Sequence, residues 1–516
     1  MTDARQDNLG FFFSATATRV PARTAIVDLW GDQRRVITYA ELERRTDAVA
    51  GLLQAMGAQP GERVAILIGN RCEYLEAFYG VMRAGLVAVP LNPRQVESNL
   101  EFMLRDCGAT GMILDADACP PGSALAERLG VKHRVILDAA PPNGWVSYAA
   151  ALDPTLPKPI PRISPDGIGF QPYTAGSTGQ PKGARLTHAG MLWSIHSTES
   201  SWPTSPNEVG LVTVPLFHKN AMRGTIKPNL FAGASAVLMP RYEPRAFLQG
   251  LAAERATFCG GVPAIFSIIL QHEDLIRSLD FSALELFVIG SAVVPPELVR
   301  NLQRLFPKAK VKESYGLTEA GGPLRGPTDG RVIPAGSAGL IADGYEVKLV
   351  AVDGTEHVAE GELWTRSPCV TDGYQNRADL TRERIIDGWL RTGDLFRRDA
   401  DGFFFFRGRV DDMFSCGGEN IYPREVESLL LNHPDVTDAC VVPIAHAVKG
   451  YVPAAMVVVR PGAPLDAEAL KAHTLAHGPT YAHPRRIEIV DAIPLNNAGK
   501  PDKNLVRGVL GADAPS

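Results

Sequence analysis

The chain has 516 residues, of which 45% are hydrophobic and 21% are charged, so it is long enough for two or more packed domains. Its formal net charge of -5 provides no basic excess for binding along a nucleic-acid backbone or an anionic membrane surface. Chemistry on a small molecule is therefore the default function class, and we expect neither nucleic-acid binding nor membrane insertion.

The cysteines and the N-terminus indicate the compartment. The 7 cysteines are scattered without a CxxC pair, which favours neither a disulfide framework nor a thiolate zinc site. Residues 1–20 lack the apolar core of a secretory signal, and no uncharged apolar run approaches the roughly 20 residues that cross a bilayer. We therefore expect a soluble protein of the reducing cytoplasm, for which a homo-oligomer stays open.

The first hundred residues alternate helical and strand patterns, as a parallel sheet covered by helices requires. Thr38 and Glu41 form a capping box, after which apolar residues recur at helical spacing. The pattern then predicts a strand, a helix and a strand at 64–68, 74–83 and 86–89. This order predicts an α/β fold whose large N-terminal domain contains doubly wound sheets.

The pattern changes in the last third of the chain. Asp-Gly pairs at 353–354 and 401–402 each separate two strand-like stretches, which predicts antiparallel hairpins in a small β-rich subdomain. Pro423 can then open a short helix, and two further strands follow it. We predict a large domain over residues 1–410 and a small, mobile α+β domain over residues 411–516.

The sharpest local motif is YTAGSTGQPKG, which begins at residue 173. Glycine backbone N–H groups, hydroxyls and a lysine all bind phosphate oxygens. In this motif they are supplied by Thr174, Ser177, Thr178, Gly179 and Lys182. The motif is not the common nucleotide-binding loop, because Pro181 precedes the lysine and Gly183 follows it. On composition alone, a flexible surface turn is the alternative.

A second motif, ESYGLTEAGG, occupies residues 313–322. Thr318 and Glu319 provide oxygen ligands there, and a carboxylate beside a triphosphate would hold Mg2+, a hard cation. A solvated glutamate in a glycine-rich loop is the alternative interpretation.

Two further motifs lie towards the C-terminus. The first is RTGDL, residues 391–395, in which Asp394 could accept hydrogen bonds from both ribose hydroxyls. Arg409, which follows this motif in the chain, could contact the ribose or the phosphates. Lys500 lies in the polar loop NNAGKP. Taken singly, Asp394 and Arg409 are each compatible with a surface salt bridge, and a lysine near a C-terminus is usually solvated.

Together and in this order, these stretches resemble the adenylate-forming superfamily of acyl-CoA synthetases, adenylation domains of peptide synthetases and luciferases. The resemblance rests on YTAGSTGQPKG, YGLTE, RTGDL, GRVDDMFSCGGENIYPREVE and NNAGK, and it extends over nearly the whole chain. It implies an enzyme that uses ATP and Mg2+ to activate a carboxylic acid as an acyl-adenylate and then transfers the acyl group to coenzyme A.

The resemblance also implies roles for individual residues. Residues 174–182 would surround the β- and γ-phosphates, Thr318 would contact the α-phosphate, and Glu319 would bind Mg2+. Lys500 would contact the carboxylate and the α-phosphate during adenylation. The remaining nucleotide contacts would come from Ser314, Tyr315, Gly316, Asp394 and Arg409, the hinge of the small domain from Asp411, and the CoA side from Gly417 and Gly418.

Two positions depart from the family's pattern. Ala175 stands where many members have a hydroxyl residue, so the phosphate loop lacks one potential donor, and we expect phosphate binding to weaken only modestly. Tyr451 follows Lys449-Gly450 where many relatives have a glutamate, and this departure bears on the acceptor. Transfer to a carrier protein or to an amine is therefore an alternative to CoA. A catalytically inactive nucleotide-binding scaffold is a third hypothesis.

By the same resemblance, the acid pocket would involve Phe217, His218, Gly260, Gly261, Val262, Ser291 and Ala292. Phe258 could add to its apolar wall, and Gly260, Gly261 and Gly316 would leave room. A medium-sized apolar acid, aromatic acids included, fits such a pocket better than acetate. The glycines are equally compatible with tight turns.

Two remaining patterns have less specific interpretations. Lys219, Arg223 and Lys227 recur every fourth residue, so on a helix they would share one face. That face would be either a solvated or domain-interface ridge or a contact for a second carboxylate or a hydroxyl of the substrate. His473 and His477 have the spacing of a zinc helix but lack its glutamate, so we expect no metal there.

Overall fold

The computed structural model describes the chain apart from residues 1–4, 32, 138–139, 153–155, 157–160, 175–179, 202, 291–293, 295, 327–330, 335, 352, 357, 417–418, 461, 496–500 and 512–516. In this described part, every helix is too short or too polar to span a bilayer. All 7 cysteines are buried free thiols.

The first two-thirds of the chain form two 7-stranded sheets and a two-stranded hairpin. Their strands are β1 (Thr24–Asp28), β2 (Arg35–Thr38), β3 (Arg63–Leu67), β4 (Val87–Pro90), β5 (Ala109–Asp115), β6 (His133–Leu137), β7 (Val146–Ser147), β8 (Ile168–Phe170), β9 (Tyr173–Thr174), β10 (Lys182–Gly183), β11 (Leu186–Thr187), β12 (Val209–Val212), β13 (Ser235–Leu238), β14 (Phe258–Gly261), β15 (Leu286–Gly290) and β16 (Lys310–Ser314).

Both large sheets are parallel except at one edge. One has the order β16-β15-β14-β12-β13-β1-β2 and the other the order β11-β8-β4-β3-β5-β6-β7. In each, only the outermost pair, β1 with β2 or β8 with β11, is antiparallel. Long apolar strands in parallel sheets need helices on both faces, and the chain provides them between the strands. The predicted doubly wound α/β architecture is confirmed.

The helices that cover these sheets, and those of the rest of the chain, follow in order. They are α1 (Ser14–Arg19), α2 (Tyr39–Ala55), α3 (Cys72–Arg83), α4 (Glu97–Cys107), α5 (Gly122–Arg128), α6 (His188–Ser201), α7 (Lys219–Ala221), α8 (Lys227–Ala232), α9 (Pro244–Ala253), α10 (Pro263–Ile269), α11 (Glu273–Ser278), α12 (Pro296–Leu305), α13 (Ala378–Arg384), α14 (Pro423–Leu431), α15 (Ala467–His477) and α16 (Lys503–Gly511). A π-helical segment, Met222–Ile226, joins α7 to α8.

A third, largely antiparallel sheet forms the predicted β-rich subdomain. It contains β17 (Leu324–Arg325), β18 (Ser337–Ile341), β19 (Glu346–Val350), β20 (Glu360–Arg366), β21 (Ile385–Ile386), β22 (Trp389–Arg398) and β23 (Phe404–Arg409). The pairs β19–β20 and β22–β23 are antiparallel, so both predicted hairpins are confirmed.

The C-terminal part of the chain has its own sheet and its own core. The sheet contains β24 (Phe414–Cys416), β25 (Glu419–Ile421), β26 (Val436–His446), β27 (Gly450–Val459) and β28 (Arg486–Ile489). Apolar residues of α14, α15 and α16 bury themselves against it, among them Val426, Leu470 and Val506. A separate core is what allows a part of the chain to move as a unit. The boundary between residues 410 and 411 stays a prediction.

Candidate active site

The motifs converge on one large cleft between the N-terminal sheets and the C-terminal part. Its volume is about 1830 Å3. The predicted nucleotide, metal and hinge residues that line it are Thr174, Lys182, Ser314, Tyr315, Gly316, Thr318, Glu319, Asp394, Arg409 and Asp411. Ser177, Thr178 and Gly179 lie outside the described residues.

The phosphate motif is anchored by a short hairpin, in which Lys182 pairs with Thr174 across β9 and β10. Lys182 forms no ion pair within the part of the chain that the structure describes. Burial lowers the pKa of its ammonium, and the positive charges of Arg384 and Arg377 lower it further. An anion placed here would relieve this repulsion, so the local charge suits a phosphate group.

Thr318 and Glu319 follow the carboxyl end of β16, the place where ligands bind in open α/β sheets. The Tyr374 hydroxyl donates to Glu319 Oε1 at 3.3 Å, and the Thr371 N–H donates to the Glu319 carbonyl at 2.7 Å. Among the described residues, the Glu319 carboxylate has no cationic partner. A carboxylate held in place without an ion pair fits a hard cation such as Mg2+.

Asp394 is fixed by a network at the end of the cleft. Its side chain is 7% exposed, and Arg409 Nη1 lies 2.7 Å from its Oδ1. The Tyr315 hydroxyl donates to the other oxygen, Oδ2, at 2.6 Å. The network orients a carboxylate whose lone pairs remain available to ribose hydroxyls.

Gly393, the middle residue of RTGDL, has no room for a side chain. Its φ is +72°, and a Cβ would lie 3.0 Å from Arg409 Nη2 and 3.2 Å from Arg384 Nη1. The glycine therefore allows two guanidinium groups to approach the backbone beside Asp394.

A smaller cavity of about 60 Å3 adjoins the cleft. Phe217, His218, Leu317 and Thr318 line both spaces, so the small cavity lies beside the predicted α-phosphate contact. Its remaining wall is mostly apolar, with Phe78, Phe170, Met191, Ile195, Leu216 and Met222. A space of this kind can hold the body of an acid whose carboxylate reaches Thr318.

The other residues predicted for the acid pocket have different places. Val262 lines the large cleft. Gly260 and Gly261 end β14 without lining either space, and Phe258 packs within the sheet, where a Cβ on Gly210 would lie 2.6 Å from its ring. Ser291 and Ala292 lie outside the described residues.

The sequence predicted that Gly316 would leave room for the acid, but the structure does not provide that room. A Cβ at this position would lie 2.4 Å from Arg223 Nη1, so the space belongs to the Arg223 guanidinium. Arg223 donates to the Tyr315 carbonyl at 3.4 Å, and Lys219 Nζ donates to the Gly316 carbonyl. Two cations thus hold the backbone that leads to Thr318.

The residue trio Lys219, Arg223 and Lys227 shares a face, as its spacing predicts, and all three line the small cavity. Lys227 is only 8% exposed. The interpretation of this face as a solvated ridge is therefore wrong, because helices α3 and α6 and strand β8 cover it.

The predicted hinge, Asp411, lies in a one-turn 3-10 segment, Val410–Asp412, between the third sheet and the C-terminal sheet. Its Oδ2 lies 3.2 Å from Arg409 Nη2, and Lys503 Nζ lies 2.5 Å from Asp412 Oδ2. Lys500, Gly417 and Gly418 lie outside the described residues. Leu495 and Pro501, on either side of the Lys500 loop, both line the cleft.

The sequence did not point to Tyr374, Arg377 or Arg384, which shape the charge around Lys182 and Glu319. They come from the segment around α13, which contains no phosphate-binding pattern. Their place becomes visible only when the third sheet packs against the first two, so no local signal could have identified them.

Comparisons with known proteins agree with this geometry. Residues 13–375 match the family model for AMP-binding enzymes, and residues 425–500 match the model for the AMP-binding enzyme C-terminal domain. A feruloyl-CoA synthase of an Amycolatopsis species is 35% identical over 480 residues, which are 92% of this chain and 94% of that protein. An indoleacetate–CoA ligase of Aromatoleum aromaticum is 32% identical over 498 residues, which are 95% and 96% of the two chains.

A similar solved structure is that of the amide bond synthetase McbA from Marinactinospora thermotolerans. The two chains superpose with a TM-score of 0.85 at 27% identity, over 98% of this chain and all of the other (100%).

Proposed function

Since this chain belongs to the family of AMP-binding enzymes, we propose that it is an ATP-dependent acid–CoA ligase for a medium-sized acid with an apolar body. The observation that supports this most directly is the convergence of the described motif residues on one cleft, beside a cavity that reaches Thr318. The enzyme uses ATP, Mg2+ and CoA and forms AMP. We also propose that it works in the cytoplasm.

In the first step, an oxygen of the acid's carboxylate attacks the α-phosphorus of ATP, and pyrophosphate leaves. Two anions must meet, so the site has to offset negative charge that grows in the transition state. Lys182 and the loop hydroxyls would hold the β- and γ-phosphates, while Lys500 and Thr318 would contact the reacting carboxylate and α-phosphate. Asp394 and Arg409 would fix the ribose. A Mg2+ bound at Glu319 would add positive charge beside the phosphates.

In the second step, the CoA thiol attacks the acyl carbonyl and AMP leaves. By our proposal, the C-terminal domain turns about Asp411, withdraws Lys500 and presents Gly417 and Gly418 to the thiol donor. One site thereby serves both half-reactions.

The relatives support an acid with an aromatic or other apolar body. Feruloyl-CoA synthase and indoleacetate–CoA ligase are named for aromatic acids. The small cavity here has the aromatic and aliphatic wall that such an acid needs, including Phe78 and Phe170.

Pyrophosphate release and CoA thioester formation, measured over aromatic, alicyclic, fatty and dicarboxylic acids, test the proposed function. We expect acid-dependent ATP–pyrophosphate exchange, followed by acyl-CoA and AMP once CoA is added. The absence of exchange with every acid would leave the inactive scaffold as the better account.

The same exchange assay tests Lys500. We expect Lys500→Ala to slow adenylation by about 10²–10³-fold, as removal of one preorganised donor to a growing negative charge does. Lys308→Ala, at an exposed lysine that does not line the cleft, is the matched control and should exchange at the wild-type rate. Wild-type exchange by Lys500→Ala would refute the assignment.

An amine is the second candidate acceptor, because the amide bond synthetase is similar in structure over 98% of this chain. Mixing CoA or an amine with preformed adenylate distinguishes the two. An adenylate that persists with CoA but disappears with the amine would favour amide formation.

A further inference from the structure

The small cavity beside Thr318 contains a buried lysine that none of the proposed steps uses. Lys227 begins α8 and is 8% exposed. Its Nζ lies 5.1 Å from the centre of the Phe170 ring. Within the described part of the chain it has no hydrogen-bond acceptor and no carboxylate partner.

The neighbours of Lys227 increase the positive charge instead of offsetting it. Burial and the positive charge of Arg223, one turn earlier, together lower the pKa of the Lys227 ammonium to about 8. Arg325 lies beyond Arg223, and its Nη2 donates to Thr198 Oγ1 at 2.7 Å. In the described ranges, neither arginine forms an ion pair with a carboxylate.

A buried charge without a counter-charge is strongly unfavourable and is rare unless a ligand supplies the partner. Among the described residues, the groups that face this cavity from the other elements do not supply a counter-charge. They are aromatic rings of α3 and β8, and apolar or hydroxyl side chains of α6, namely Tyr74, Phe78, Phe170, Met191, Ser194, Ile195 and Thr198.

We propose that Lys227 and Arg223 bind a second carboxylate of the acid substrate, so that the preferred substrate is a dicarboxylic acid with an apolar spacer. This inference rests on the proposed function and narrows its substrate class. The reacting carboxylate meets Thr318 and the distal carboxylate meets Lys227, and both residues line the cavity.

The dimensions fit a spacer of medium length. Lys227 follows Lys219, which contacts the Gly316 carbonyl, by about two helical turns, or roughly 11 Å of rise. The side chains reach back across part of that distance. The cavity of about 60 Å3 has room for roughly four water molecules, hence for a carboxylate and a few methylene groups. Its apolar wall favours a hydrocarbon spacer over a hydroxylated one.

Matched acids test the proposal by steady-state kinetics of CoA thioester formation. We expect kcat/KM for hexanedioate or octanedioate to exceed that for hexanoate, octanoate and the monomethyl esters of the diacids by at least about tenfold, because only the diacids supply the counter-charge. Equal or better turnover of the monoacids would overturn the proposal while leaving the ligase function intact. Failure of every acid would count against the ligase function itself.

Lys227→Met keeps the length of the side chain and removes its charge. We expect kcat/KM for the preferred diacid to fall on the order of 100-fold, mainly through KM, and to fall far less for the monoacid of the same length. Lys308→Met, at an exposed lysine, should preserve the wild-type preference. An unchanged preference in Lys227→Met would contradict the assignment of Lys227.

A binding measurement gives the same answer without turnover. The diacid should raise the thermal midpoint of the wild-type protein, and its monomethyl ester should raise it less. Lys227→Met should melt no lower than the wild type without acid, because the substitution removes an unpaired buried charge. Equal shifts by the diacid and its ester in the wild type would refute the second carboxylate site, whatever the stability of the variant.

Discussion

His188 shows how one buried side chain couples the fold to pH. It begins α6, is 2% exposed, and its Nδ1 accepts the Leu9 N–H at 3.1 Å. Burial lowers its pKa from 6.5 to about 4. Between about pH 6.5 and pH 4, His188 is therefore protonated in the unfolded chain but neutral in the folded chain. The contribution of the neutral His188 to the free energy of unfolding is fully present above pH 6.5 and declines as the pH falls towards 4.

For His188 we expect a loss of about 2 kcal/mol in the free energy of unfolding from about pH 7 to about pH 5. Urea titrations at several pH values measure it. His188→Asn keeps an acceptor for the Leu9 N–H but does not titrate, so its stability should vary less over this range. Identical pH profiles for the two proteins would show that His188 does not titrate as described.

At the scale of elements, Arg83 fastens the N-terminal segment to helices α2 and α3. It ends α3, is 1% exposed, and pairs with Glu43 at 2.5 Å and Asp47 at 2.7 Å on α2. Its Nε also donates to the Gly10 carbonyl at 2.8 Å. One guanidinium thus joins two helices to the segment that precedes α1.

Arg83→Met should lower the free energy of unfolding by about 3 kcal/mol, because it leaves two part-buried carboxylates and a carbonyl without their donor. Denaturant unfolding checks this. Arg105→Met provides the control, since Arg105 is 61% exposed and, among the residues that the structure describes, forms its ion pair along its own helix with Glu101. That variant should stay within about 0.5 kcal/mol of the wild type. Similar losses in both would mean that the N-terminal attachment contributes little.

Local rules account for the elements that the sequence predicted correctly. The Thr38 hydroxyl oxygen accepts the Glu41 N–H at 3.2 Å and begins α2, as a capping box should. The Asp-Gly pairs likewise predicted the hairpins of the third sheet. Both predictions succeeded because each signal lies within a few residues of the structure that it specifies.

Long-range packing accounts for what the sequence left open. The spacing of Lys219, Arg223 and Lys227 predicted a shared face, but not that α3, α6 and β8 would cover it. Likewise, the motif around Gly316 predicted a close approach without showing that Arg223 makes it. The order of the motifs thus predicted a nucleotide-binding site, whereas the charge of the acid cavity depends on tertiary contacts that no motif specifies.

At the scale of the whole molecule, few polar contacts between described residues hold the C-terminal part to the rest. Arg407 of β23 lies 2.7 Å from Glu425 of α14, and Arg460 pairs with Glu297 across the cleft. Ion pairs at exposed positions contribute little free energy each. Together with the separate apolar core, this supports a C-terminal unit that can turn about the short segment Val410–Asp412.

Asp411→Pro tests this motion. Asp411 lies in a 3-10 segment, and the usual φ of a 3-10 helix, roughly -50° to -70°, is one that proline accepts, so the arrangement described here should persist. The ring then opposes the φ change that a large rotation requires. We expect ATP–pyrophosphate exchange to stay within about threefold of wild type while acyl transfer from preformed adenylate to CoA slows by at least about tenfold.

Asp411→Ala separates hinge stiffness from the loss of a charge. It also breaks the contact of 3.2 Å with Arg409, but it leaves φ free to change. If rotation about residue 411 is what proline impedes, the alanine variant should transfer acyl groups to CoA at close to the wild-type rate. Equal slowing by alanine and proline would attribute the effect to the Arg409 ion pair, and equal loss of both half-reactions in the proline variant would exclude a hinge at this residue.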